Sequence, residues 1–492
     1  MTPTLESIRD FRGTYPRQLW WLFLTEMWER FCFYGLRGML TVFMVTQLDL
    51  GEKDANLQYG AIQAFVYAFT FIGGVMADKI LGFQRSLFWG ALLMIAGGAI
   101  IAVSPTELFY LGITFNIIGT GFFKPNISTM VGQLYHENDT RRDAGFGLFY
   151  SGINIGAFMG GVLMVYIGKF HSWPMAFGLV AVVMTISLIT FALTRKGLGP
   201  IGLSPLAHLP KMKATQREAA VYVGSLLSIP LILKMVTNTA YTDLFMWIVG
   251  PSTLVYLAWE MRQFTAAENK KLGAALVFIL FSVLFWAFFE QSGGSLSLFA
   301  LNNITPTFGG LSLDPNVSNN SANSLFVILF SPILGFVWVA LAKRKAEPNS
   351  VVKFGLAFLL LAFAFYVFYA TVFVANPETG MTSQEIFVLG YFIITFGELF
   401  LSPIGLSLMT KLSPTRIQGL MMGMWFLASA YGQYVAGLLG AGMAQVGDNV
   451  TNLERLTGYT DGYLYLAQIA AVGGVVLLVI SPLVRKLMGS VR

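Results

Sequence analysis

One stretch of the sequence decides the fold class: Phe354-Gly-Leu-Ala-Phe-Leu-Leu-Leu-Ala-Phe-Ala-Phe-Tyr-Val-Phe-Tyr-Ala-Thr-Val-Phe-Val374. It contains no charged side chain, and it is long enough for a helix that crosses the roughly 30 Å hydrocarbon core of a bilayer. Similar apolar runs recur along the chain, at 87–103, 177–193, 276–289 and 468–480 with their flanks. The sequence therefore predicts an all-α polytopic membrane protein.

The composition of the whole chain agrees with this class. Of the 492 residues, 55% are hydrophobic and 11% are charged, and the mean hydropathy is +0.67. Soluble domains carry about 25% charged residues, and the polar breaks here are too short to form one. We therefore expect one membrane domain, with no cleaved signal peptide at its start. The single cysteine, Cys32, excludes an intrachain disulfide.

The apolar runs predict fourteen transmembrane helices. Their approximate bounds are 18–48, 56–81, 86–104, 107–134, 142–168, 174–194, 218–238, 242–264, 271–303, 322–343, 351–375, 384–411, 416–445 and 461–487. With the N-terminus inside, 24 of the 31 lysines and arginines fall at cytoplasmic ends or loops, and 3 fall outside. This asymmetry predicts a protein of the inner (cytoplasmic) membrane with both termini in the cytoplasm. It also explains the net charge of +6 without a nucleic-acid partner.

The spacing of the helices predicts three parts. A loop rich in Gly, Pro and Lys follows six helices, and another six helices follow residue 270. We expect an N-terminal six-helix bundle over 1–197, a linker with an extra hairpin over 198–268, and a C-terminal six-helix bundle over 269–492. Two six-helix halves are the plan of the major facilitator fold, in which substrate binds between the halves near mid-membrane. The fold alone does not specify a function.

Charged residues within the first span are the first candidates for a functional site. At about 100° per residue, Glu26, Arg30 and Arg37 share one helix face, and Glu29 and Tyr34 lie close to that face. Each charge at membrane depth costs about 2.5–3.5 kcal/mol. Four charges on one face therefore predict a wet cavity or charged partners. The alternative is a stretch near the cytoplasmic end whose charged groups snorkel to water.

Helix 4 adds a lysine at membrane depth. Lys124 precedes Pro125, which cannot continue the helical hydrogen-bond ladder. A buried lysine needs an acidic partner or loses its proton, so Glu26 or Glu29 is the expected partner. Such a pair could act in transport or could only hold the bundle together.

Three further pairs are spaced four residues apart and so share a helix face. They are Tyr150 with Asn154, Trp286 with Glu290, and Glu398 with Ser402. Buried carboxyl groups such as Glu290 and Glu398 can exchange a proton near neutral pH, as a proton-coupling site requires. Weaker candidates, for which ordinary packing is an equal alternative, are Tyr67, Asn323 and Trp425.

Patterns typical of enzymes and metal sites are missing from the sequence. It has no Walker loop, no zinc-ligand spacing and no nucleophile elbow, and its three histidines are scattered singly. We therefore expect neither an enzyme nor a bound cofactor or metal.

Four motifs resemble those of the proton-dependent oligopeptide transporters, a family of the major facilitator type. Glu26-Met-Trp-Glu29-Arg30-Phe-Cys-Phe-Tyr34-Gly35 resembles the ExxERFxYYG signature, with Phe33 in place of the first tyrosine. Phe149-Tyr150-Ser-Gly-Ile-Asn154-Ile-Gly156 is similar to FYxxINxG. Gly121-Phe-Phe-Lys124-Pro-Asn126 and Gly397-Glu398-Leu-Phe-Leu-Ser402-Pro403 are similar to the family's helix 4 and helix 10 motifs. The resemblance extends over essentially the whole chain, including the two extra helices typical of bacterial members.

The resemblance implies a proton-coupled symporter that imports di- and tripeptides by alternating access. It implies that the substrate is bound by Arg30, Tyr34, Arg37, Tyr67, Lys124, Tyr150, Asn154, Trp286, Asn323, Glu398, Ser402 and Trp425. It implies that protons are coupled through Glu26, Glu29, Arg30, Lys124, Glu290 and Glu398. The cations would meet the peptide carboxylate, and Glu398 with Asn323 would meet its amino group. The implied partners are peptides, protons and the lipid bilayer.

Two other functions stay open at this point. The same fold carries nitrate or other small anions in relatives of the family, but Glu398 argues against an anion because a carboxylate repels it. A channel or a membrane receptor is the other alternative. It is less favoured because the two charged halves differ, whereas channels repeat their pore-lining residues.

Overall fold

The computed structural model describes residues 3–136, 139–401, 405–447 and 449–489. These residues form helices joined by short turns and one small β-hairpin. The helices are α1 Leu5–Arg9, α2 Arg17–Gln47, α3 Glu52–Met76, α4 Phe83–Val103, α5 Phe109–Gln133, α6 Arg142–Phe170, α7 Trp173–Thr194, α8 Lys211–Leu227, α9 Ile229–Thr237, α10 Thr239–Glu260, α11 Ala266–Phe289, α12 Ser295–Asn303, α13 Pro315–Lys343, α14 Ser350–Ala370, α15 Gln384–Leu401, α16 Gly405–Leu412, α17 Gln418–Met443 and α18 Asn452–Met488. The hairpin pairs β1 Thr307–Phe308 with β2 Leu311–Ser312 antiparallel.

Membrane-length helices dominate this architecture. Within the described ranges, eleven helical segments are long and apolar enough to cross a membrane. The other long helices are α2, α5 and α17, which have 31, 25 and 26 residues. Each of the fourteen predicted spans therefore has a counterpart, which confirms an all-α polytopic protein.

One predicted helix is interrupted. The helix predicted over 271–303 is present as one helical segment, Ala266–Asn303, but its α-helical geometry is interrupted between the end of α11 at Phe289 and the start of α12 at Ser295. The break contains Gly293 and Gly294, and glycine is a poor helix former. The side chain of Gln291 lies within the break. It donates to the carbonyls of Ala287 on α11 and Ala436 on α17, both at 3.0 Å, and accepts from the Ser295 hydroxyl of α12 at 2.6 Å.

Several helices begin earlier than the apolar pattern predicted, and α13 and α18 are two of them. α13 starts at Pro315 rather than 322, because the Asp314 carboxylate caps it by accepting from the amides of Asn316 and Val317 at 3.0 and 3.2 Å. α18 starts at Asn452 rather than 461, because Thr451 and Glu454 form a capping box. Caps of this kind satisfy backbone donors at positions where the hydrophobic periodicity has already ended.

The chain divides into two compact units. Unit 1 comprises Met1–Met39 and Phe65–Asn238, and unit 2 comprises Leu40–Ala64 and Thr239–Arg492. The extra hairpin is therefore shared between the units, with α8 and α9 in unit 1 and α10 in unit 2. The division into 1–197, 198–268 and 269–492 stays a prediction.

Close helix contacts in unit 1 depend on glycine. A Cβ added at Gly156 or Gly160 of α6 would lie 2.1 Å from the backbone oxygen of Met27 or Phe31 of α2. A Cβ at Gly73 would lie 2.2 Å from the Gly121 oxygen. Small residues spaced four apart let helix backbones approach closely in membranes. The approach of α6 to α2 occurs at the turn that carries the charges of helix 1.

Unit 2 has an aromatic core. Phe365 and Phe368 from α14 meet Tyr463 of α18, with ring centroids 5.9 and 6.0 Å apart. Phe299 of α12 packs edge-on against Tyr463 at 5.6 Å. These rings pack α12 and α14 against α18.

A tyrosine hydroxyl of α17 bonds to two backbone groups of α10. The Gly250 amide donates to the Tyr431 hydroxyl at 2.9 Å, and this hydroxyl donates in turn to the Met246 carbonyl. The next turn of α17 adds a second contact, in which Tyr434 donates to Asp243 at 2.6 Å. Together, the two tyrosines attach α10 to α17.

Replacement of Tyr431 by Phe should loosen this attachment. The change removes both hydrogen bonds of the hydroxyl and leaves two backbone groups misaligned, at a cost of about 1–3 kcal/mol. We expect a lower apparent melting temperature of the purified protein in detergent. Tyr465→Phe is the matched control, because Tyr465 is 59% exposed on α18. Equal melting temperatures for both variants and the native chain would contradict the proposed anchor.

Candidate functional site

An ion-pair cluster is buried in α2 of unit 1. The Arg30 Nε atom lies 3.0 Å from Glu26 Oε1, and an Nη atom of Arg30 contacts Glu29 Oε2. Glu26, Glu29 and Arg30 are 3%, 0% and 1% exposed. Spacing of four residues brings Glu26 below Arg30 on one helix face, as the sequence predicts. The cluster is thus almost completely shielded from solvent.

The carboxylates of this cluster keep unused acceptor capacity. Within the described residues, Glu26 Oε2 and Glu29 Oε1 have no hydrogen-bond partner, whereas Glu29 Oε2 contacts Arg30. Lys124 also interacts electrostatically with both carboxylates. Buried oxygens of this kind can accept a proton without first breaking a hydrogen bond.

Phe33 lies between two cations of unit 1. Its ring centroid is 5.0 Å from the Arg30 guanidinium carbon and 5.4 Å from Lys124 Nζ. Lys124 Nζ also lies 4.3 Å from the ring of Tyr67. Cations within about 6 Å of an aromatic face are attracted to it. Phe33 therefore lacks the hydroxyl of the family's tyrosine, but its ring still contacts both cations.

The remaining candidates of unit 1 surround this cluster on α2 and α6. The Arg37 guanidinium lies 5.9 Å from the ring of Tyr34, which packs edge-on against Phe33 at 5.1 Å. Asn154 donates to the carbonyl of Tyr150 at 3.0 Å, which fixes its amide along α6. Within unit 1, the structure thus joins Arg30, Phe33, Tyr34, Arg37, Tyr67 and Lys124 through ring contacts, and Tyr150 with Asn154 through a hydrogen bond.

Unit 2 contains a carboxylate held by an amide. The Nδ2 atom of Asn323, on α13, donates to Glu398 Oε2 at 2.8 Å and to Thr395 Oγ1 at 3.1 Å. Glu398 and Thr395 both lie on α15, three residues apart. The pair combines a strong acceptor with a neutral donor, and this arrangement suits a bound ammonium group.

The polar layer continues to residues that the sequence analysis missed. Tyr391 donates to Asn319 Oδ1 at 2.5 Å, and Asn319 Nδ2 donates to the Ser292 carbonyl at 2.8 Å. Asn319 and Tyr391 lie four residues before Asn323 and Thr395, so they occupy the same faces of α13 and α15. The signal was the Asn-rich stretch 316–321, which lies before the start of the predicted helix because it is not apolar.

The other candidates of unit 2 lie among aromatic residues. Trp286 is flanked by the rings of Phe285 and Phe289 at 5.5 and 5.4 Å, and Glu290 follows where α11 ends. Trp425 is 9% exposed and packs over Gly405, where a Cβ would lie 2.0 Å from its ring. Ser402, the predicted partner of Glu398, lies outside the described residues.

The sequence analysis did not predict the burial of another carboxylate of unit 2, that of Glu52. Glu52, in the first turn of α3, accepts from Asn302 Nδ2 and from Arg455 Nε, both at 2.9 Å. It also accepts from the hydroxyl of Tyr459. Glu52 thereby joins the start of α3 to α12 and α18. Residues 52–55 precede the predicted helix, so no pattern in the sequence indicated burial there.

Comparison with known proteins extends these observations. A sequence model of the POT family matches residues 84–455. The peptide transporter YePEPT of Yersinia enterocolitica is 34% identical to this chain over 458 residues, which are 88% of each chain. Dipeptide and tripeptide permease A of Chromobacterium violaceum is 32% identical and covers 96% of this chain and 94% of its own.

Solved structures of peptide transporters are also similar to this chain. The crystal structure of a mutant of peptide transporter POT in complex with alafosfalin is similar with a TM-score of 0.85 and 31% identity, over 99% of this chain and 100% of that one. A POT family transporter in complex with a thioalcohol conjugated peptide has a TM-score of 0.82 and 29% identity, over 98% and 100%. These similarities confirm the major facilitator fold predicted from the helix plan. With the family match over residues 84–455, they establish that the chain belongs to the POT family.

Proposed function

We propose that this chain is a proton-coupled symporter that imports di- and tripeptides across the cytoplasmic membrane by alternating access. Membership of the POT family supports transport, and relatives bear the names of peptide transporters and of dipeptide and tripeptide permeases. The observation that carries the choice of substrate is that unit 1 presents cationic side chains and unit 2 presents a carboxylate. Unit 1 has cations against aromatic rings, and unit 2 has a carboxylate held by an amide.

A zwitterionic peptide matches this polarity. Its carboxylate would bind Arg30, Arg37 and Lys124, since guanidinium and ammonium groups are the usual partners of carboxylates. Its amino group would bind Glu398 and Asn323, because an ammonium needs an anionic acceptor. The other residues proposed to contact the peptide are Tyr34, Tyr67, Tyr150, Asn154, Trp286, Ser402 and Trp425.

The proton would bind at buried carboxylates. Glu26 and Glu29 are favoured because they are shielded from solvent and keep unused oxygens. Arg30 and Lys124 belong to the same relay, since both interact with these acids. In unit 2, Glu290 and Glu398 would take part in the conformational steps of the cycle.

The proposed topology follows from the distribution of basic residues. Both termini would lie in the cytoplasm, with the extra hairpin inserted between two six-helix bundles of the inner membrane. Lys211 and Arg485 then mark cytoplasmic helix ends, and Lys53 and Arg455 mark the opposite face.

The direct test is uptake of a labelled dipeptide into liposomes that contain the purified chain. We expect saturable uptake that requires an inward proton gradient and is inhibited by di- and tripeptides. A panel of single amino acids and nitrate should compete weakly. Uptake that is indifferent to collapse of the pH gradient would overturn proton coupling, and strong competition by nitrate would favour an anion carrier.

Replacement of Glu398 by Gln should impair recognition of the peptide amino group. The variant keeps the shape of the side chain but loses the charge, and a charge-assisted hydrogen bond contributes about 1.5–3 kcal/mol. We expect uptake at limiting peptide concentration to fall by roughly one to two orders of magnitude. Glu385→Gln, at an exposed position of the same helix, is the matched control. Equal uptake by both variants would exclude this role for Glu398.

Replacement of Glu26 by Gln should uncouple transport from protons. The variant leaves Arg30 paired with Glu29 but removes one of the two proposed proton acceptors. We expect peptide counterflow to persist while uptake no longer responds to the pH gradient. The exposed Glu107→Gln variant in the same unit should respond like the native chain. A full gradient response of Glu26→Gln would show that its carboxylate is dispensable for coupling.

Replacement of Phe33 by Leu should weaken peptide binding. The change removes the ring that contacts both Arg30 and Lys124, and each cation–ring contact contributes about 0.5–2 kcal/mol. We expect the apparent KM for peptide to rise several-fold. Phe33→Tyr keeps the ring and serves as the matched control, with a KM near that of the native chain. A Leu variant with an unchanged KM would mean that the ring does not position the cations.

A further inference from the structure

A cavity of about 660 Å³ opens in unit 1, away from the clusters described above. Its wall is formed by the start of α4, the turn after α7 and the start of α8. Among its lining residues are Arg85, Arg195, Lys196, Lys211 and Glu218. Four cationic side chains therefore converge with one carboxylate on a single concave surface.

Most of this positive charge is uncompensated. Arg85 is paired with Glu218, and Glu218 also accepts from the hydroxyl of Ser204 at 3.4 Å. Across the described ranges of the chain, Arg195, Lys196 and Lys211 have no carboxylate within ion-pair distance. The cavity thus has three cations available for an anion of matching size.

Hydrogen bonds and close packing hold the wall of the cavity in place. The Gln84 amide donates to the Gly202 carbonyl at 2.9 Å, and its side chain donates to the Ile201 carbonyl at 2.6 Å. The Ser204 hydroxyl donates to the Ile80 carbonyl at 2.8 Å. A Cβ at Gly82 would lie 2.5 Å from the carbonyl carbon of Leu203, so the turn is pressed against the start of α4. Basic residues that only set membrane orientation do not need such a fixed cavity.

The cavity has an apolar border as well as a charged wall. Leu203, Leu206 and Leu209 line it, and Leu203 is 59% exposed. In the proposed topology these helix ends lie at the cytoplasmic surface, at the depth of the inner-leaflet headgroups. A ligand with an anionic head and an apolar tail satisfies both parts of this surface, whereas a free inorganic anion satisfies only the charged part.

We propose that this cavity binds the headgroup of an anionic phospholipid of the cytoplasmic leaflet. The phosphodiester would bind Arg195, Lys196 and Lys211, and the acyl chains would leave past Leu203. Basic pockets at the cytoplasmic side of membrane helices are suited to anionic headgroups. The inference rests on the proposed topology and is independent of the transported substrate.

The test uses the full-length chain purified in an uncharged detergent. Phosphatidylglycerol is titrated in, and the apparent melting temperature is followed. We expect a saturable increase for the native chain that phosphatidylcholine does not produce. Equal increases with both lipids would overturn the proposal. An equal increase with inorganic phosphate would also overturn it, because the site would then take a free anion.

The variant arm removes the three cations together, as Arg195→Gln/Lys196→Gln/Lys211→Gln. Each basic residue near a lipid surface contributes measurably, so the apparent affinity for phosphatidylglycerol should fall roughly tenfold to a hundredfold. The single variant Lys196→Gln, at an exposed position, should fall by a smaller factor and keeps the test valid if the triple variant is unstable.

A control with the same change of charge separates a site from general attraction. Arg262→Gln/Lys343→Gln/Arg344→Gln removes three exposed basic residues outside the cavity. We expect this variant to bind phosphatidylglycerol like the native chain. Equal losses in the two triple variants would mean diffuse attraction to the lipid surface and would overturn the cavity as a site.

Discussion

A charge that is buried within a membrane protein has to be neutralised by its neighbours, because neither lipid nor a packed core replaces water. The cluster of Arg30 with Glu26 and Glu29 obeys this constraint directly. Breaking a buried pair by removal of one partner costs about 3–5 kcal/mol, since it leaves an uncompensated charge. The close approach of α6 at Gly156 and Gly160 and the ring of Phe33 then complete the enclosure of the cluster.

The same constraint applies to backbone groups, and it determines where the helices are irregular. Between α11 and α12, the side chain of Gln291 donates to the Ala287 carbonyl and accepts from the Ser295 hydroxyl, and in α10 the Tyr431 hydroxyl bonds to two backbone groups. Irregular backbone within the membrane is tolerated only where protein groups satisfy it. Each irregularity therefore coincides with a contact that ties one helix to another, at Ala436 for α11 and at Met246 for α10.

The sequence predicted the parts of the structure that depend on local pattern. Fourteen apolar runs gave fourteen spans, and the spacing of Glu26 and Arg30 placed them on one face. It failed where distant residues decide the outcome. The burial of Glu52 depends on Arg455, 403 residues away, and no local pattern reports such a contact. The Asn-rich start of α13 likewise became helical because its amides bind distant groups such as the Ser292 carbonyl.

Charge balance connects two proposed events of the transport cycle, the binding of a proton and the binding of a peptide. Glu26 and Glu29 offset Arg30 and Lys124, so the cluster is neutral when all four groups are charged. A peptide carboxylate that enters alone would add an uncompensated negative charge at membrane depth, which is costly. A proton on one of the acids removes this excess and releases a cation toward the peptide. Proton and peptide carboxylate therefore favour each other's binding, and reciprocal favour of this kind is a coupling free energy between the two ligands.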